Sequence, residues 1–238
     1  MQPKLPASFS PSPSEPEFAP APPDAALTEL LDDYAPFGPV PLVPEVSAFQ
    51  GRGVVEVWEA AERLAGRHLP APFWAYPWAG GVALARVLLD RPEWVAGKRV
   101  LDVGAGGGVA SFAAARAGAA EVVANDVDPW AIATLRLAAA RQGLAVTPLL
   151  ADLTAETKRV EAFDVVLCGD LAYERRRAAP QRALLARART AGARVLVADA
   201  ERAYFDATGL APVLELEVAV PKDLEGVERR VARVYVWR

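Results

Sequence analysis

Three glycines at alternate positions follow an acidic residue within the stretch Asp102–Gly108. Apolar residues precede this stretch and a run with helical character follows it, which predicts that a buried strand over 99–103 turns sharply into a helix over 109–117. Glycines at such a turn let backbone N–H groups approach a ligand, because no Cβ blocks the way and positive φ is allowed. The stretch therefore predicts a site for a small polar ligand; the alternative is that its glycines only close a tight strand-to-helix turn.

The class of ligand is narrowed by the glycine patterns that this stretch lacks. A dinucleotide fingerprint starting at Gly104 needs a third glycine where Val109 stands, and one starting at Gly106 needs it where Ser111 stands. The phosphate loop of nucleotide triphosphatases is also absent from the sequence. An acidic residue two positions before a Gly-x-Gly-x-Gly turn remains, and this pattern resembles the first motif of the class I S-adenosylmethionine-dependent methyltransferases.

Two further carboxylates stand where the next two predicted strands end, Asp126 after one and Asp152 after the other. Ligands of open α/β sheets bind outside the carboxyl ends of the strands, so both side chains are expected at the edge that carries the glycine turn. If the ligand is S-adenosylmethionine, Asp126 can accept from both ribose hydroxyls while Val127 packs on the adenine. Asp152 and the N–H of Leu153 can then pair with the polar edge of the adenine. The alternative is a set of ordinary surface carboxylates.

The elements that position these residues alternate between strand and helix, a pattern typical of a parallel sheet with helices on both faces. After the glycine turn, strands are predicted at 121–125, 146–150, 163–168 and 194–198, and helices at 130–142 and 178–191. The last two strands, 213–220 and 228–237, alternate polar and apolar residues and predict an antiparallel pair at the sheet edge. This layout resembles class I methyltransferases, which implies an α/β, Rossmann-like sheet of seven strands in the order 3-2-1-4-5-7-6 with strand 7 antiparallel.

The first 72 residues precede this sheet. Residues 1–24 contain eight prolines among serines and alanines, and they predict a disordered tail that is dispensable for folding. Residues 25–72 predict a helical extension, with amphipathic helices at 25–34 and 54–66 separated by prolines that break the chain. The methyltransferase domain is then expected to occupy residues 73–238.

An aromatic segment, Pro72–Gly81, leads into a helix predicted over 82–89, and it reads Pro-Phe-Trp-Ala-Tyr-Pro-Trp-Ala-Gly-Gly. Its large side chains either form a hydrophobic clamp under a surface segment or line the ligand pocket. In the second case Trp78 is a candidate cofactor contact.

The turn after the fourth predicted strand, Gly169–Tyr173, reads Gly-Asp-Leu-Ala-Tyr. Its Asp-x-x-Tyr pattern, the aromatic segment, the glycine turn and the Asn-Asp-Val-Asp-Pro sequence at Asn125–Pro129 together resemble the seven-strand protein lysine methyltransferases. The likeness is greatest to the branch that modifies the β subunit of electron transfer flavoprotein, and it extends over about residues 40–238.

The resemblance implies a transferase that uses S-adenosylmethionine, releases S-adenosylhomocysteine and methylates a protein lysine ε-amine, with the electron transfer flavoprotein β subunit as a possible substrate. It implies that Asp170 orients the amine and the methionine ammonium while Tyr173 shapes the acceptor channel, so the expected catalytic residues are Asp170 and Tyr173. The expected cofactor-binding residues are Trp78, Asp102, Gly104, Gly106, Gly108, Asp126, Val127, Asp152, Leu153 and Asp170. The alternatives are methylation of a ribosomal protein, another protein or a small molecule, and a non-catalytic binding protein with this fold.

Composition limits the remaining chemistry. Cys168 is the only cysteine and His68 the only histidine, so zinc clusters, disulfide frameworks and Cys/His or Ser/His/Asp mechanisms lack parts, and no metal is expected. A net charge of −4 and a pI of about 5.2 argue against nucleic acid as the main partner. The sequence shows no apolar run that could span a bilayer and no secretion signal. We therefore expect a cytoplasmic monomer that does not bind membranes.

Overall fold

The computed structural model describes residues 18–154, 159–172 and 175–238, and a seven-stranded sheet lies at the centre of this part of the chain. In chain order, the helices and strands are α1 (Asp24–Tyr34), β1 (Phe37–Val40), β2 (Val43–Phe49), α2 (Val54–Ala65), α3 (Ala79–Asp90), β3 (Arg99–Val103), α4 (Val109–Arg116), β4 (Glu121–Asp126), α5 (Pro129–Gln142), β5 (Thr147–Leu150), β6 (Val165–Gly169), α6 (Arg175–Thr190), β7 (Arg194–Asp199), β8 (Leu210–Ala219), α7 (Lys222–Glu225) and β9 (Arg229–Trp237). Short 3-10 helices occupy Phe73–Ala75, Pro92–Trp94 and Arg159–Ala162.

The order of the strands confirms the predicted topology. The sheet runs β5-β4-β3-β6-β7-β9-β8, and its first five strands pair in parallel. The strand β9 is antiparallel to both of its neighbours, β7 and β8. Counted along the chain from β3, this order is 3-2-1-4-5-7-6 with the seventh strand antiparallel. The carboxyl ends of the five parallel strands therefore share one edge, which we call the carboxyl edge.

The sheet separates two hydrophobic clusters, because neighbouring residues of a strand point to opposite faces. In β3, Val100 belongs to the cluster covered by α3, α4 and α5, whereas Leu101 belongs to the cluster beneath α6. The helices α3 and α4 also pack against each other on the first face. In the described ranges, no helix combines the length and the apolar character needed to cross a membrane.

The N-terminal extension contains a β-hairpin, formed by β1 and β2, where the prolines predict a break in the chain. The extension therefore contains two strands that the sequence does not predict, between the helices α1 and α2 that it does. Pro39 and Pro44 are exposed on strands that each have a partner on one side only, and such positions tolerate the missing N–H donor. The strand β2 also carries Val46 and Phe49, which are buried in the core and tie the hairpin to it.

Residues 18–24 belong to the packed extension. Ala19 is buried in the core cluster, and Asp24 forms a salt bridge with Arg136 of α5. The prediction of a disordered tail is therefore wrong for this segment, because its composition does not reveal the contacts that it makes with the rest of the fold. Residues 1–17, the remainder of the predicted tail, lie outside the described residues.

A chain that begins at Ala25 is expected to be less stable than one that begins at Phe18. The shorter chain loses the buried methyl group of Ala19, worth about 0.8 kcal/mol, and it leaves Arg136 without its carboxylate partner. A loss of about 1 kcal/mol lowers the Tm of a domain of this size by roughly 2–4 °C. Thermal unfolding of the two truncated chains measures the difference, and equal Tm values would show that the segment adds no stability.

Candidate functional site

The glycine turn lies at the carboxyl edge, between β3 and α4. Gly104 and Gly106 have φ values of +68° and +51°, which favour glycine. A Cβ on Gly104 would overlap the side chain of Leu171, whereas one on Gly106 would find its nearest atom 4.0 Å away. Gly104 therefore lets Leu171 of the turn after β6 pack closely against it, and Gly106 borders open space that a ligand can enter.

Three N–H groups of the glycine turn donate to the protein itself. The N–H of Ala105 donates to Asn125 O at 2.9 Å, that of Gly108 donates to Ala105 O at 2.8 Å, and that of Gly106 donates to Asp126 Oδ2 at 2.9 Å. The expectation that the turn presents its N–H groups to a ligand fails for these three. A phosphate needs such free donors, so the turn is poorly suited to bind one, in agreement with the missing dinucleotide fingerprint.

Asp126 ends β4 at the carboxyl edge and holds the neighbouring backbone. Its Oδ1 accepts from the N–H groups of Val127 at 2.7 Å and Asp128 at 3.0 Å, and its Oδ2 accepts from Gly106. A carboxylate has about four acceptor positions, so Asp126 retains capacity for about one more donor, fewer than the two ribose hydroxyls expected. Burial raises the pKa of Asp126, and these backbone donors partly offset that rise. Val127 is half-buried beside it.

Asp152 and Leu153 follow β5 at the same edge. The backbone N–H of Ala151 donates to Asp126 O at 3.1 Å, which brings the two strand ends together. Asp152 is exposed and its Oδ1 accepts from the N–H and hydroxyl of Thr154, at 2.9 and 2.6 Å, while Leu153 is buried. The predicted adenine contacts are thus adjacent to Asp126, and Asp152 already has an intrachain partner.

Asn125 holds these two strand ends in register, a role that sequence reasoning missed. Its side-chain amide is buried and donates to Leu149 O at 3.0 Å and to Ala151 O at 2.8 Å. A polar residue at the end of an apolar strand was the available signal, since a buried amide needs hydrogen-bond partners.

The aromatic segment lies against the glycine turn. A Cβ on Gly107 would be 3.0 Å from Trp74 O, so the two backbones approach closely. Trp74 is buried and stacks on Trp130 of α5 with ring centroids 5.6 Å apart. Trp78 is half-buried, and its Nε1–H donates to Phe73 O at 2.7 Å. Part of the segment is therefore a clamp, and Trp78 remains a candidate for lining the pocket.

Asp170 lies at the carboxyl edge, and its carboxylate accepts hydrogen bonds from other parts of the protein. It is buried with φ +52°, and it accepts from the N–H of Gly80 at 2.5 Å, the N–H of Ala200 at 3.0 Å and Nε of Arg202 at 3.2 Å. The contact with Gly80 satisfies an N–H group in the first turn of α3. It explains why α3 begins at Ala79 rather than at residue 82, as predicted. Tyr173, the other expected catalytic residue, lies outside the described residues.

Arg202 links Asp170 to the last hairpin, and sequence reasoning missed this link. Its Nη1 donates to Glu225 Oε1 at 2.6 Å, and its guanidinium lies 5.7 Å from the ring centroid of Trp78. Glu225 is also buried and accepts from Nε of Arg230 at 2.9 Å. Asp170, Arg202 and Glu225 lie in three separate parts of the chain, so no local motif indicates this link.

Asp102 lies inside the protein, between β3 and α4. Its side chain is buried, and Oδ2 accepts from the hydroxyl of Ser111 at 2.6 Å. Burial raises the pKa of Asp102 to about 6, and the nearby charge of Asp126 adds to the rise. The acidic residue of the glycine motif is therefore paired within the protein, and its contact with a cofactor stays a prediction.

Asp102→Asn is expected to stabilise the protein at neutral pH and to have a small effect at pH 4. The pKa of Asp102 is about 6 in the folded state against 3.8 as its ordinary value, so wild-type stability falls as pH rises through this window. The amide of the variant has no charge to desolvate. At pH values above both pKa values, the free energy of unfolding of the variant is therefore expected to exceed that of the wild type by about 2–3 kcal/mol. Urea unfolding at pH 4 and pH 7 tests this, and an equal effect at both pH values would argue against a buried titrating carboxyl group.

The carboxyl edge is acidic and partly buried. Burial also raises the pKa of Asp128 to about 7 and that of Asp199 to about 6. Carboxylates that burial disfavours gain from a nearby positive charge, so the edge is suited to a cationic ligand. Across the part of the chain that the structure describes, no cluster of three or more His, Cys, Asp or Glu residues has the arrangement of a metal site.

Comparisons with known proteins agree with this fold. Residues 100–191 match the family described as "Methyltransferase domain". The chain is 40% identical over 140 residues to the electron transfer flavoprotein beta subunit lysine methyltransferase of Danio rerio, covering 58% of this chain and 53% of the relative. It is 34% identical over 169 residues to the enzyme of that name from Mus musculus, covering 70% and 66%. The chain thus spans about half to two thirds of these relatives.

Solved structures show the same fold. The chain is similar to a putative RNA methyltransferase from Pyrococcus horikoshii, with a TM-score of 0.50 and 21% sequence identity. The match covers 66% of this chain and 79% of that chain. At this identity the likeness concerns the fold, which is that of the class I methyltransferases.

Proposed function

The chain carries a class I methyltransferase domain, and we propose that it uses S-adenosylmethionine to methylate a lysine ε-amine of a protein. The observation that carries the proposal is the 40% identity over 140 residues to a curated electron transfer flavoprotein beta subunit lysine methyltransferase. We propose the β subunit of electron transfer flavoprotein as the substrate. The proposal includes a monomeric enzyme that acts in the cytoplasm, as the sequence predicts.

The chemistry of the carboxyl edge fits S-adenosylmethionine. Its sulfonium and ammonium groups carry positive charge, which the buried carboxylates at this edge favour. The open side of Gly106 admits a ligand next to Asp126, while the internal hydrogen bonds of the turn leave few donors for a phosphate. Asp126, Val127, Asp152 and Leu153 would hold the adenosine. When bound, the cofactor supplies an electrophilic methyl group to the acceptor nitrogen.

The protein must make a poor nucleophile react. A lysine amine with a pKa of about 10.4 is neutral in only about one molecule in 2,500 at pH 7. Carboxylates near the amine favour its ammonium form, so the acidic side chains of this site serve to bind and orient the amine, and its proton leaves to water. Positioning of the neutral amine supplies most of the rate in this proposal. The ordered packing of Asp170, Arg202 and Trp78 supports such a role for the surrounding wall.

Two measurements test the proposal. Calorimetric titration with S-adenosylhomocysteine is expected to show binding. If no binding is detected at millimolar ligand, the proposed enzymatic function is rejected. Incubation of the purified protein with unmethylated electron transfer flavoprotein β subunit and methyl-labelled cofactor is then expected to label a lysine, located by mass spectrometry. Binding without labelling of this subunit, but with labelling of another lysate protein, would reject the proposed substrate and keep the activity.

A further inference from the structure

Asp199 has a buried carboxylate oxygen without a hydrogen-bond partner. The residue ends β7 and is 4% exposed. Its Oδ1 accepts from the backbone N–H of Arg202 at 2.8 Å, whereas Oδ2 is buried and has no partner among the residues that the structure describes. Burying an unsatisfied polar atom costs free energy, and native proteins rarely leave one without a reason.

Asp199 lies at the carboxyl edge, on the side away from the predicted adenosine contacts. Gly169 pairs with Ala198, and the N–H of Asp170 donates to Ala198 O at 2.9 Å, which places the end of β7 beside the turn after β6. The strand β7 is two positions from β3 in the sheet, whereas β4 and β5 lie on the opposite side. Strands are spaced about 4.8 Å apart, so the end of β7 lies roughly 10 Å beyond the glycine turn.

The charges around Asp199 do not balance. Three buried carboxylates belong to this group: Asp170, Asp199 and Glu225. The cations that contact it are Arg202, paired with Asp170 and Glu225, and Arg230, paired with Glu225. Three ionised carboxylates against two guanidinium groups leave one negative charge. The oxygen without a partner is Oδ2 of Asp199, so the missing group is a hydrogen-bond donor with a positive charge.

We propose that Oδ2 of Asp199 binds the ammonium group of the methyl acceptor. The inference rests on the proposed function, because a protein lysine is the acceptor in that proposal. A neutral water molecule would satisfy the hydrogen bond but not the charge, and an anion would be repelled. The methionine ammonium of the cofactor has the same chemistry; the position of Asp199 beyond the glycine turn favours the acceptor. Asp170, with three donors of its own, then acts mainly as a positioning residue for this wall of the site.

Asp199→Asn tests the inference with little disturbance of the fold. The amide of the variant keeps one oxygen that can accept from the N–H of Arg202. The substitution removes only the negative charge and the oxygen that has no partner. A charge-assisted hydrogen bond of this kind corresponds to roughly 10- to 150-fold in affinity, so KM for the protein acceptor is expected to rise by about this factor. The Kd of S-adenosylhomocysteine is expected to stay near the wild-type value. The urea midpoint at neutral pH is expected not to fall, because burial also disfavours the charged form of Asp199 and raises its pKa to about 6.

Asp206→Asn is the matched control, because Asp206 lies in the loop that follows β7 and also accepts a backbone N–H, that of Thr208 at 2.9 Å, but is exposed. Wild-type kinetics are expected for this variant. If Asp199→Asn leaves KM unchanged, Asp199 has only a structural role in its turn and the inference is overturned. If Asp199→Asn instead weakens the binding of S-adenosylhomocysteine while KM for the protein acceptor is unchanged, the bound ammonium is that of the cofactor. This result would also overturn the assignment to the acceptor.

A probe without turnover separates this inference from the proposed function. Binding of n-butylammonium, which mimics the lysine side chain, can be followed through the carboxyl ¹³C resonance of Asp199, with n-butanol as the uncharged control. The ammonium is expected to shift this resonance and the alcohol is not. A shift in a protein that methylates no lysine would uphold an ammonium site at Asp199 but reject the proposed function and, with it, a lysine as the bound group. If the Asp199 resonance does not shift in a protein that methylates lysine, the inference is rejected and the proposed function is kept.

Discussion

Asp126→Ala is expected to weaken the binding of S-adenosylhomocysteine by two to three orders of magnitude, or about 3–4 kcal/mol, without unfolding the sheet. The substitution removes a charged acceptor, whose hydrogen bonds are worth about 1.5–3 kcal/mol. It also releases the N–H groups of Gly106, Val127 and Asp128, which the carboxylate now holds. The turn that must receive the ligand then has to be ordered on binding, which adds to the loss.

Asp164→Ala provides the matched control for this prediction. Asp164 also accepts a backbone N–H, that of Arg99 at 2.9 Å, but it precedes β6 at the opposite edge of the sheet. Its removal is expected to leave S-adenosylhomocysteine affinity unchanged. Calorimetry on both variants, with circular dichroism to verify folding, makes the comparison. A folded Asp126→Ala protein with wild-type affinity would place the ligand away from the end of β4.

The sequence was sufficient to locate the strands of the parallel sheet and the residues at their ends. The strand β3 has the predicted bounds, because its buried apolar run is limited by a lysine and arginine on one side and by glycines on the other. Asp126 and Asp152 lie at the predicted edge, because parallel strands direct all of their carboxyl ends to one side. These features depend on local pattern and on a general rule of sheet architecture.

The partners of the site residues could not be predicted, because they depend on contacts between distant parts of the chain. Asp170 is held by Gly80 and Arg202, which are 90 and 32 positions away in the sequence. The start of α3 was missed for the same reason, since the N–H group that begins it donates to Asp170. The free oxygen of Asp199 is likewise visible only once its neighbours are in place.

Rules based on single residue types also gave wrong predictions for the prolines of the extension and for the backbone N–H groups of the glycine turn. A proline breaks a helix or a central strand, but the hairpin of β1 and β2 has only edge strands, where the same residue is tolerated. The N–H groups of the turn were expected to face a ligand, yet Gly106 donates to Asp126. A carboxylate at the end of β4 thus satisfies a donor that a phosphate would need in a dinucleotide-binding protein.

Asp170→Ala is expected to lower the free energy of unfolding by about 3–5 kcal/mol, the usual cost of removing one partner from a buried ion pair. Arg202 keeps Glu225, but the N–H groups of Gly80 and Ala200 lose their acceptor in a buried setting. Asp170→Asn is expected to cost less, because its amide oxygen can still accept from Ala200 and Arg202, and only the N–H of Gly80 loses its acceptor. Urea unfolding of the three proteins gives the order wild type, Asp170→Asn, Asp170→Ala.

A double-mutant cycle with Arg202→Met separates the ion pair from the backbone contacts. If the pair itself contributes, the two substitutions are expected to be non-additive by about 1–3 kcal/mol, as for other residues in contact. Additive effects would assign the loss to the N–H groups of Gly80 and Ala200. Wild-type stability of Asp170→Ala would contradict the whole network. Because the expected loss of stability is large, the turnover of Asp170 variants has to be measured below their unfolding transition, where a decrease reports on the site and not on the folded fraction.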